Sequence, residues 1–150
     1  MRKIKLKEII FKLLRSNNSP REIALGVAIG VFIAILPLYG FHTILVIAFA
    51  ILIPHANKIA MLLGTNVSLP PTVATITWTA YDIGRFILFN KDYPALTWVY
   101  FKHLKIEMLK DFYYPLFVGS IILGFLCATF FYYITLFITE KIHRRRLYGR

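Results

Sequence analysis

The feature that most constrains this chain is a long hydrophobic stretch, from Glu22 to Gly84, that is interrupted twice by residues unsuited to a helix in lipid. The first break is the segment 36–40, Leu-Pro-Leu-Tyr-Gly, and the second is the segment 65–72, Thr-Asn-Val-Ser-Leu-Pro-Pro-Thr. Because lipid offers no hydrogen-bond partners, non-helical backbone survives at membrane depth only where protein or water supplies them. We therefore expect this stretch to be the working part of the molecule.

The hydrophobic content is that of an integral membrane protein. Hydrophobic residues make up 58% of the 150 residues, compared with about 45–50% apolar residues in soluble proteins, and the excess lies in long runs. A soluble helical bundle with unusually apolar helices is the alternative that composition leaves open. We expect an all-α, multi-pass membrane protein.

Positive charge is concentrated at the two ends of the chain. The formal net charge is +11, with seven basic residues before Glu22 and five after Glu140. Basic flanks on apolar segments follow the positive-inside rule and suit anionic lipid headgroups, so both termini are predicted to be cytoplasmic. Nucleic acid is not an expected partner, because no recognition motif accompanies the charge.

The pattern divides the chain into an interfacial helix and one transmembrane domain. Residues 1–18 form the first unit, because apolar residues within 2–16 recur at the spacing of one helix face while lysines lie mostly off it. The transmembrane domain covers 19–150. Within it we expect a broken-helix core over 22–89, an interfacial or lid helix over 96–111, a spanning helix over 113–139 and a basic cytoplasmic tail over 140–150.

The helices around the first break are short. Ser19, Pro20 and Glu22 predict a capping box at the start of a helix over 22–36. At 1.5 Å per residue that helix reaches only about 22 Å, less than the roughly 30 Å hydrocarbon core. Residues 42–53 are shorter still. The pair can form a re-entrant hairpin or two tilted spans in a thinned bilayer.

Two rows of small residues are predicted to mediate helix packing. Residues spaced by four along one helix face allow a close approach of backbones, which is their ordinary use in membranes. We expect the two rows to pack on each other or across a dimer, and the protein to form a homo-oligomer. The rows are Gly26, Gly30 and Ala34 in the first helix and Ser120, Gly124 and Ala128 in the last.

A polar stripe runs down the helix expected over 72–89. Its members are Thr72, Thr75, Thr79 and Asp82, at the spacing of one face. An ionisable residue in an apolar segment is costly and normally faces protein or water. Arg85 lies one turn away, so a structural ion pair with Asp82 is our first interpretation, and a place in a substrate or ion path is the second.

The sequence contains no known catalytic motif and no spacing of residues typical of a metal site. Four histidines are scattered without a ligand spacing, and Cys127 is the single cysteine. His42, just after the first break, is expected to hydrogen-bond a freed carbonyl. We predict a protein that is not an enzyme and carries no metal or cofactor.

An ordered series of motifs resembles the bacterial membrane family known as domain of unknown function 2062. The similarity covers about residues 15–140, and departs from the usual family residues at His42 and Leu69. It implies a multi-pass inner-membrane protein, sometimes linked to glycosyltransferase or envelope-glycolipid genes. The motifs are Ser19-Pro20, Gly26 with Gly30-Val31-Phe32, Pro37-Leu38-Tyr39-Gly40, Asn57, Gly64-Thr65 through Pro70 and Thr72, and Tyr81 with Gly84.

The breaks and the resemblance together predict a transporter or flippase-like protein that handles an anionic lipid-linked substrate in envelope biosynthesis. Interrupted helices favour a site at the membrane midplane. The alternative is a non-catalytic membrane adaptor or scaffold for a glycosyltransferase or other envelope enzyme. The candidate substrate-binding residues are Pro37, Gly40, His42, Asn66, Ser68, Pro70, Thr72 and Asp82.

Overall fold

The computed structural model describes residues 19–38, 40–67, 70–88 and 106–148. Within these ranges the chain forms five α-helices and no strand, which confirms the all-α class. A 3-10 turn, Thr65–Val67, follows the third helix. The predicted interfacial helix over 2–16 and most of the one over 96–111 lie outside the described residues. The helices are α1 (Pro20–Ile35), α2 (His42–Leu52), α3 (Lys58–Gly64), α4 (Pro70–Ile87) and α5 (Ile106–Tyr148).

The start of α1 is the predicted capping box. The Ser19 hydroxyl accepts from the Glu22 backbone N–H at 3.3 Å, and the Ser19 N–H donates to a Glu22 carboxylate oxygen at 3.0 Å. Two of the donors that a helix start leaves unpaired are satisfied in this way. Pro20 occupies the first turn, where its missing N–H costs nothing. Glu22 is therefore a capping residue.

The helices α1 and α2 form a hairpin, and α3 then runs alongside α1 in the same direction. The hairpin is closed at its far end, where the Asn57 N–H donates to the Glu22 carbonyl at 3.0 Å. Asn57 also caps α3, its side-chain oxygen accepting from the Ala60 N–H at 2.8 Å. Ile33 and Met61 are fully buried where the three helices meet.

Glycines set the distance between α1 and α3. A Cβ atom on Gly64 would lie 2.5 Å from the carbonyl oxygen of Val27, and one on Gly30 would collide with the carbonyl of Met61. Gly26 faces the carbonyl of Asn57 in the same way. The two backbones are therefore in direct contact, which only glycine permits at these positions.

A second glycine contact joins α4 to α5. A Cβ on Gly84 would collide with the carbonyl of Pro115, and one on Gly119 would collide with the carbonyl of Ala80. The order of these pairs shows that the two helices are antiparallel. Tyr81 is 1% exposed and stacks on Phe112 with ring centroids 5.0 Å apart, which completes the contact.

The two rows of small residues lie in different contacts. Gly26 and Gly30 face α3, whereas Gly124 faces the Phe32 ring of α1, with its missing Cβ 3.1 Å from that ring. The helices α1 and α5 do pack on each other and are antiparallel, because Phe32 lies by Gly124 while Pro37 lies by Tyr113. Packing of the rows across a dimer stays a prediction.

The last helix is longer than the predicted span. Its 43 residues extend for about 65 Å, and the part from Phe112 to Arg145 is, among the described helices, the one long and apolar enough to cross a membrane. The helix continues through Tyr148, so most of the predicted tail over 140–150 is helical. Aromatic side chains such as Phe125 and Phe137, 67% and 69% exposed, cover its surface, as suits a lipid-facing helix.

The second break is shorter than the sequence predicted. The helix expected from residue 72 begins at Pro70, because prolines are accepted in the first turn of a helix, where no N–H is needed. Between the end of α3 at Gly64 and Pro70, the chain makes the 3-10 turn over Thr65–Val67. The described part of the interruption is therefore this turn, and residues 68 and 69 lie outside the described residues.

Candidate functional site

The two breaks lie at different heights along α5. The Tyr113 hydroxyl donates to the Pro37 carbonyl at 2.9 Å, which places the first break at one end of the apolar part of α5. The second break follows Gly64, which lies against Val27 and Gly30 of α1. Gly30 is within one helical turn of Phe32, and Phe32 contacts Gly124 of α5. From Tyr113 to Gly124 the helix rises about 17 Å. The second break is thus near the middle of the apolar part.

At the first break the freed backbone groups are used by the protein itself. The Leu36 carbonyl accepts from the Leu38 N–H at 2.8 Å and lies 3.3 Å from His42 Nε2. That contact is the role expected for His42. Gly40 has φ +89°, a left-handed conformation that favours glycine. Pro37 is buried, and its carbonyl is occupied by Tyr113. This corner is a closed turn.

At the second break two polar side chains converge on one carbonyl. The Thr65 hydroxyl donates to the Leu62 carbonyl at 2.7 Å, and the Asn66 side-chain amide donates to the same oxygen at 3.2 Å. Side-chain donors of this kind let a helix end inside a membrane, where no water reaches the last carbonyls. Asn66 is also exposed.

The remaining candidates of the second break are at the start of α4. Thr72 is exposed in its first turn. Ser68 lies outside the described residues, as does the side chain of Pro70. Asn66 and Thr72 therefore stand on the two sides of the interruption, six residues apart in the chain.

The polar stripe of α4 faces away from α5. Thr72, Thr75 and Thr79 are exposed and Asp82 is half-buried, on the face opposite the glycine contact with α5. The Thr79 hydroxyl donates to the Thr75 carbonyl at 2.9 Å, which satisfies it within the helix. A carboxylate cannot be satisfied in this way. An ion pair between Asp82 and Arg85 is not seen in the described part of the chain, and it stays a prediction.

The eight candidate residues do not form one site. Pro37, Gly40 and His42 belong to the first break. Asp82 lies at a similar height along α5, because it falls between Ala80 and Gly84, which contact Gly119 and Pro115 of α5. The other four, Asn66, Ser68, Pro70 and Thr72, belong to the second break. A shared pocket of all eight would have to extend over about 17 Å.

A cavity that the sequence did not reveal lies between α1 and α5. Its volume is about 370 Å³ and its walls are almost entirely apolar. At one end the rings of Phe32 and Phe125 meet edge to face, 5.8 Å apart. The Thr129 hydroxyl in its wall donates to the Phe125 carbonyl at 2.8 Å. The main lining residues are Ala28 and Phe32 of α1, Phe49 of α2, and Phe125, Ala128 and Tyr133 of α5.

The cavity was missed because it needs three helices to form it. One signal was available: Ala128 belongs to the predicted row of small residues, and Ala28 stands between Gly26 and Gly30 on α1. Small residues on two antiparallel helices leave space when larger neighbours hold the backbones apart. Here Phe32 is the larger neighbour, since it lies between α1 and Gly124.

Metal-binding geometry is not found in the described part of the chain, where no three His, Cys, Asp or Glu side chains lie close enough to hold an ion.

Comparison with known proteins gives one match. The model of a family described as "Uncharacterized protein conserved in bacteria (DUF2062)" matches residues 4–147, which confirms the resemblance drawn from the motifs. No curated protein and no solved structure matches the chain.

Proposed function

This chain belongs to the family of uncharacterized proteins conserved in bacteria (DUF2062), and from its helix geometry we propose that it is a multi-pass inner-membrane protein that moves an anionic lipid-linked substrate. Four crossings fit the helix directions: α1 outward, α2 inward, α3 with α4 outward, and α5 inward. Both basic ends of the chain are then cytoplasmic, as the positive-inside rule requires.

The observation that carries the proposal is the interruption between α3 and α4. Both helices run in the direction of α1, because α3 is parallel to α1 while α4 and α1 are each antiparallel to α5. They are therefore two halves of one crossing, broken near the middle of the apolar part of α5. Transporters use such discontinuous helices to form midplane sites, because the ends of half-helices present unpaired backbone groups to a substrate.

The chemistry of the break suits an anionic group. Pro70 and Pro71 have no backbone N–H, so the start of α4 acts on an anion mainly through the positive end of its helix dipole, which favours negative charge. Asn66 and Thr72 add an amide and a hydroxyl on its two sides. The half-buried Asp82 lies two to three turns further along α4, where it would accompany a coupling proton or ion. We place the substrate headgroup at the break.

The outer face of α4 supports the proposal of a homo-oligomer. Its polar stripe faces away from α5, the described helix on which α4 mainly packs. In lipid, a half-buried carboxylate such as Asp82 is costly unless protein or water covers it. A second copy would cover the stripe and enclose the break.

The alternative, an adaptor for an envelope enzyme, is favoured by the far end of α5. There Lys141, Arg144 and Arg145 are exposed on the last turns of a helix that continues to Tyr148. A rigid basic helix of this kind could hold a cytoplasmic enzyme at the membrane surface. The midplane interruption would then serve packing alone.

Transport in vesicles tests the proposal directly. The purified protein is reconstituted with a headgroup-labelled polyprenyl phosphate, and the accessible label is quenched from outside. We expect the triple variant Asn66→Ala, Thr72→Val, Asp82→Asn to slow translocation at least tenfold. Thr79→Val is the matched control, since that hydroxyl is already bonded within α4, and it should retain the rate of the unmodified protein.

Two results would oppose the proposal. Translocation unaffected by the triple variant would remove the break from the mechanism. A vesicle preparation without translocation, combined with a defined envelope enzyme that co-purifies at equal stoichiometry in mild detergent, would favour the adaptor. The mass of the same complex in detergent reports whether the chain is an oligomer.

A further inference from the structure

We propose that the lateral cavity between α1 and α5 binds one hydrocarbon chain of an anionic membrane lipid, with the lipid headgroup beside Lys141. The inference rests on the proposed function for the class of substrate and deepens it by naming an entry position, in which the chain of the substrate lies in the cavity before its headgroup reaches the break. It assigns a site to residues outside both breaks.

The lining of the cavity suits hydrocarbon. Its volume of about 370 Å³ lies in the range of ligand cavities, roughly 300–1,000 Å³. The Thr129 hydroxyl in the wall already donates to a carbonyl of its own helix, so it offers little to a polar ligand. A flexible apolar chain is the occupant that fills such a space without unpaired polar groups.

The position of the cavity gives a lipid chain direct access. Phe125 and Tyr133 form its α5 wall and are 67% and 65% exposed, so the wall is continuous with the lipid-facing surface of α5. Ala28, 8% exposed, belongs to the α1 wall. A chain can therefore enter sideways from the bilayer and stay within apolar surroundings throughout.

The cavity wall leads to a positive charge. Phe125, Thr129, Tyr133, Phe137 and Lys141 are spaced by four and form one ridge along α5. The first three line the cavity. The Lys141 ammonium is exposed and lies 6.0 Å from the centre of the Phe137 ring, so the charge stands at the end of this ridge, where a headgroup can reach it.

Other basic groups stand at the same end. Arg21 lies on α1, one helical turn before the first residue of α1 that lines the cavity. Because α1 and α5 are antiparallel, Arg21 lies toward the end of α5 that bears Lys141, Arg144 and Arg145. Among the described residues acids are fewer there: Glu22 is engaged in the capping box, and Glu140 is half-buried. The net positive charge at this end favours an anionic headgroup over a zwitterionic one.

Native mass spectrometry of the full chain tests the site. The protein is released from detergent with phosphatidylglycerol or with phosphatidylcholine of the same chains. We expect one bound lipid per chain and at least a fivefold preference for phosphatidylglycerol. Ala128→Trp, which fills the cavity, should lower the affinity for both lipids at least tenfold. Lys141→Gln should keep chain binding and lose the preference.

Leu126→Trp is the matched control, because Leu126 is 63% exposed on α5 outside the cavity, and it should bind lipid like the unmodified chain. Equal binding by Ala128→Trp and Leu126→Trp would overturn the proposal. If the protein is a dimer and Ala128→Trp alone dissociates it, the cavity belongs to a second copy and the proposal fails. If lipid binds only after deletion of residues 1–18, that segment is the occupant and the proposal also fails. Loss of lipid binding with normal translocation would overturn this inference alone. Tight binding without translocation would leave it standing while the transport proposal fails.

Discussion

Gly119→Ala is expected to separate α4 from α5 and to cost at least about 1–3 kcal/mol of stability, the usual range for overpacking. The new Cβ would collide with the Ala80 carbonyl and would stand 2.6 Å from the Gly84 nitrogen. Both neighbours are backbone atoms, so no side-chain rotation can relieve the collision. The midpoint of thermal unfolding in detergent should fall by several degrees.

Gly124→Ala provides the control in the same helix. Its new Cβ would lie 3.1 Å from a ring atom of Phe32, and that side chain can turn away. We expect a loss of less than about 1 kcal/mol, as for small shape changes that a core can absorb. Equal unfolding midpoints for the two alanine variants would show that α4 and α5 do not meet as closely as described.

Gly30→Ala is expected to have a comparable effect on the contact of α1 with α3. The added Cβ would collide with the Met61 carbonyl and lie 2.9 Å from the Gly64 Cα. Since α3 has only seven residues, it has little other packing to hold it in place. We expect α3 to move away from α1, and the buried position of Met61 to become accessible.

Thiol labelling measures this movement. In a Cys127→Ala background, Met61→Cys should resist a small thiol reagent, because Met61 is 0% exposed, and should react rapidly once Gly30→Ala is added. The comparison variant is Gly40→Ala, which has open space around the new Cβ but a strained φ of +89°. It should lose about 1–2 kcal/mol without exposing residue 61. Protection of Met61→Cys in all three backgrounds would refute the glycine contact.

The local signals of the sequence were sufficient to place the helices and the caps at the starts of α1 and α3, but not the start of α4 or the ends of α5. The capping box of Ser19 and Glu22, the cap at Asn57 and the carbonyl contact of His42 each depend on residues close in the chain, so their chemistry is readable without a fold. The same holds for the one candidate membrane-spanning helix of the described residues, since the apolar run of α5 is continuous. The start of α4 was set two residues late because the pair Pro70-Pro71 was interpreted as part of the break.

What the sequence did not predict depends on which helix lies next to which. Gly26 and Gly30 are spaced as well for α5 as for α3, and only the hairpin of α1 and α2 brings α3 to that face. Gly84 and Gly119 were not recognised as partners, because their contact joins segments 35 residues apart with no local pattern. The cavity has the same origin. The polar residues of the two breaks were grouped into one site because height along α5 is not visible in the sequence.

The central claim is that the crossing made by α3 and α4 is interrupted at mid-depth, and spin-label depth measurement tests it most directly. Single cysteines replace Gly40, His55 and Asn66 in a Cys127→Ala background and are labelled in bilayers. Collision rates with oxygen and with a water-soluble nickel complex then give the depth of each label. The account predicts position 66 near the bilayer centre, with positions 40 and 55 close to opposite surfaces. Position 66 at the same depth as either surface label would contradict it.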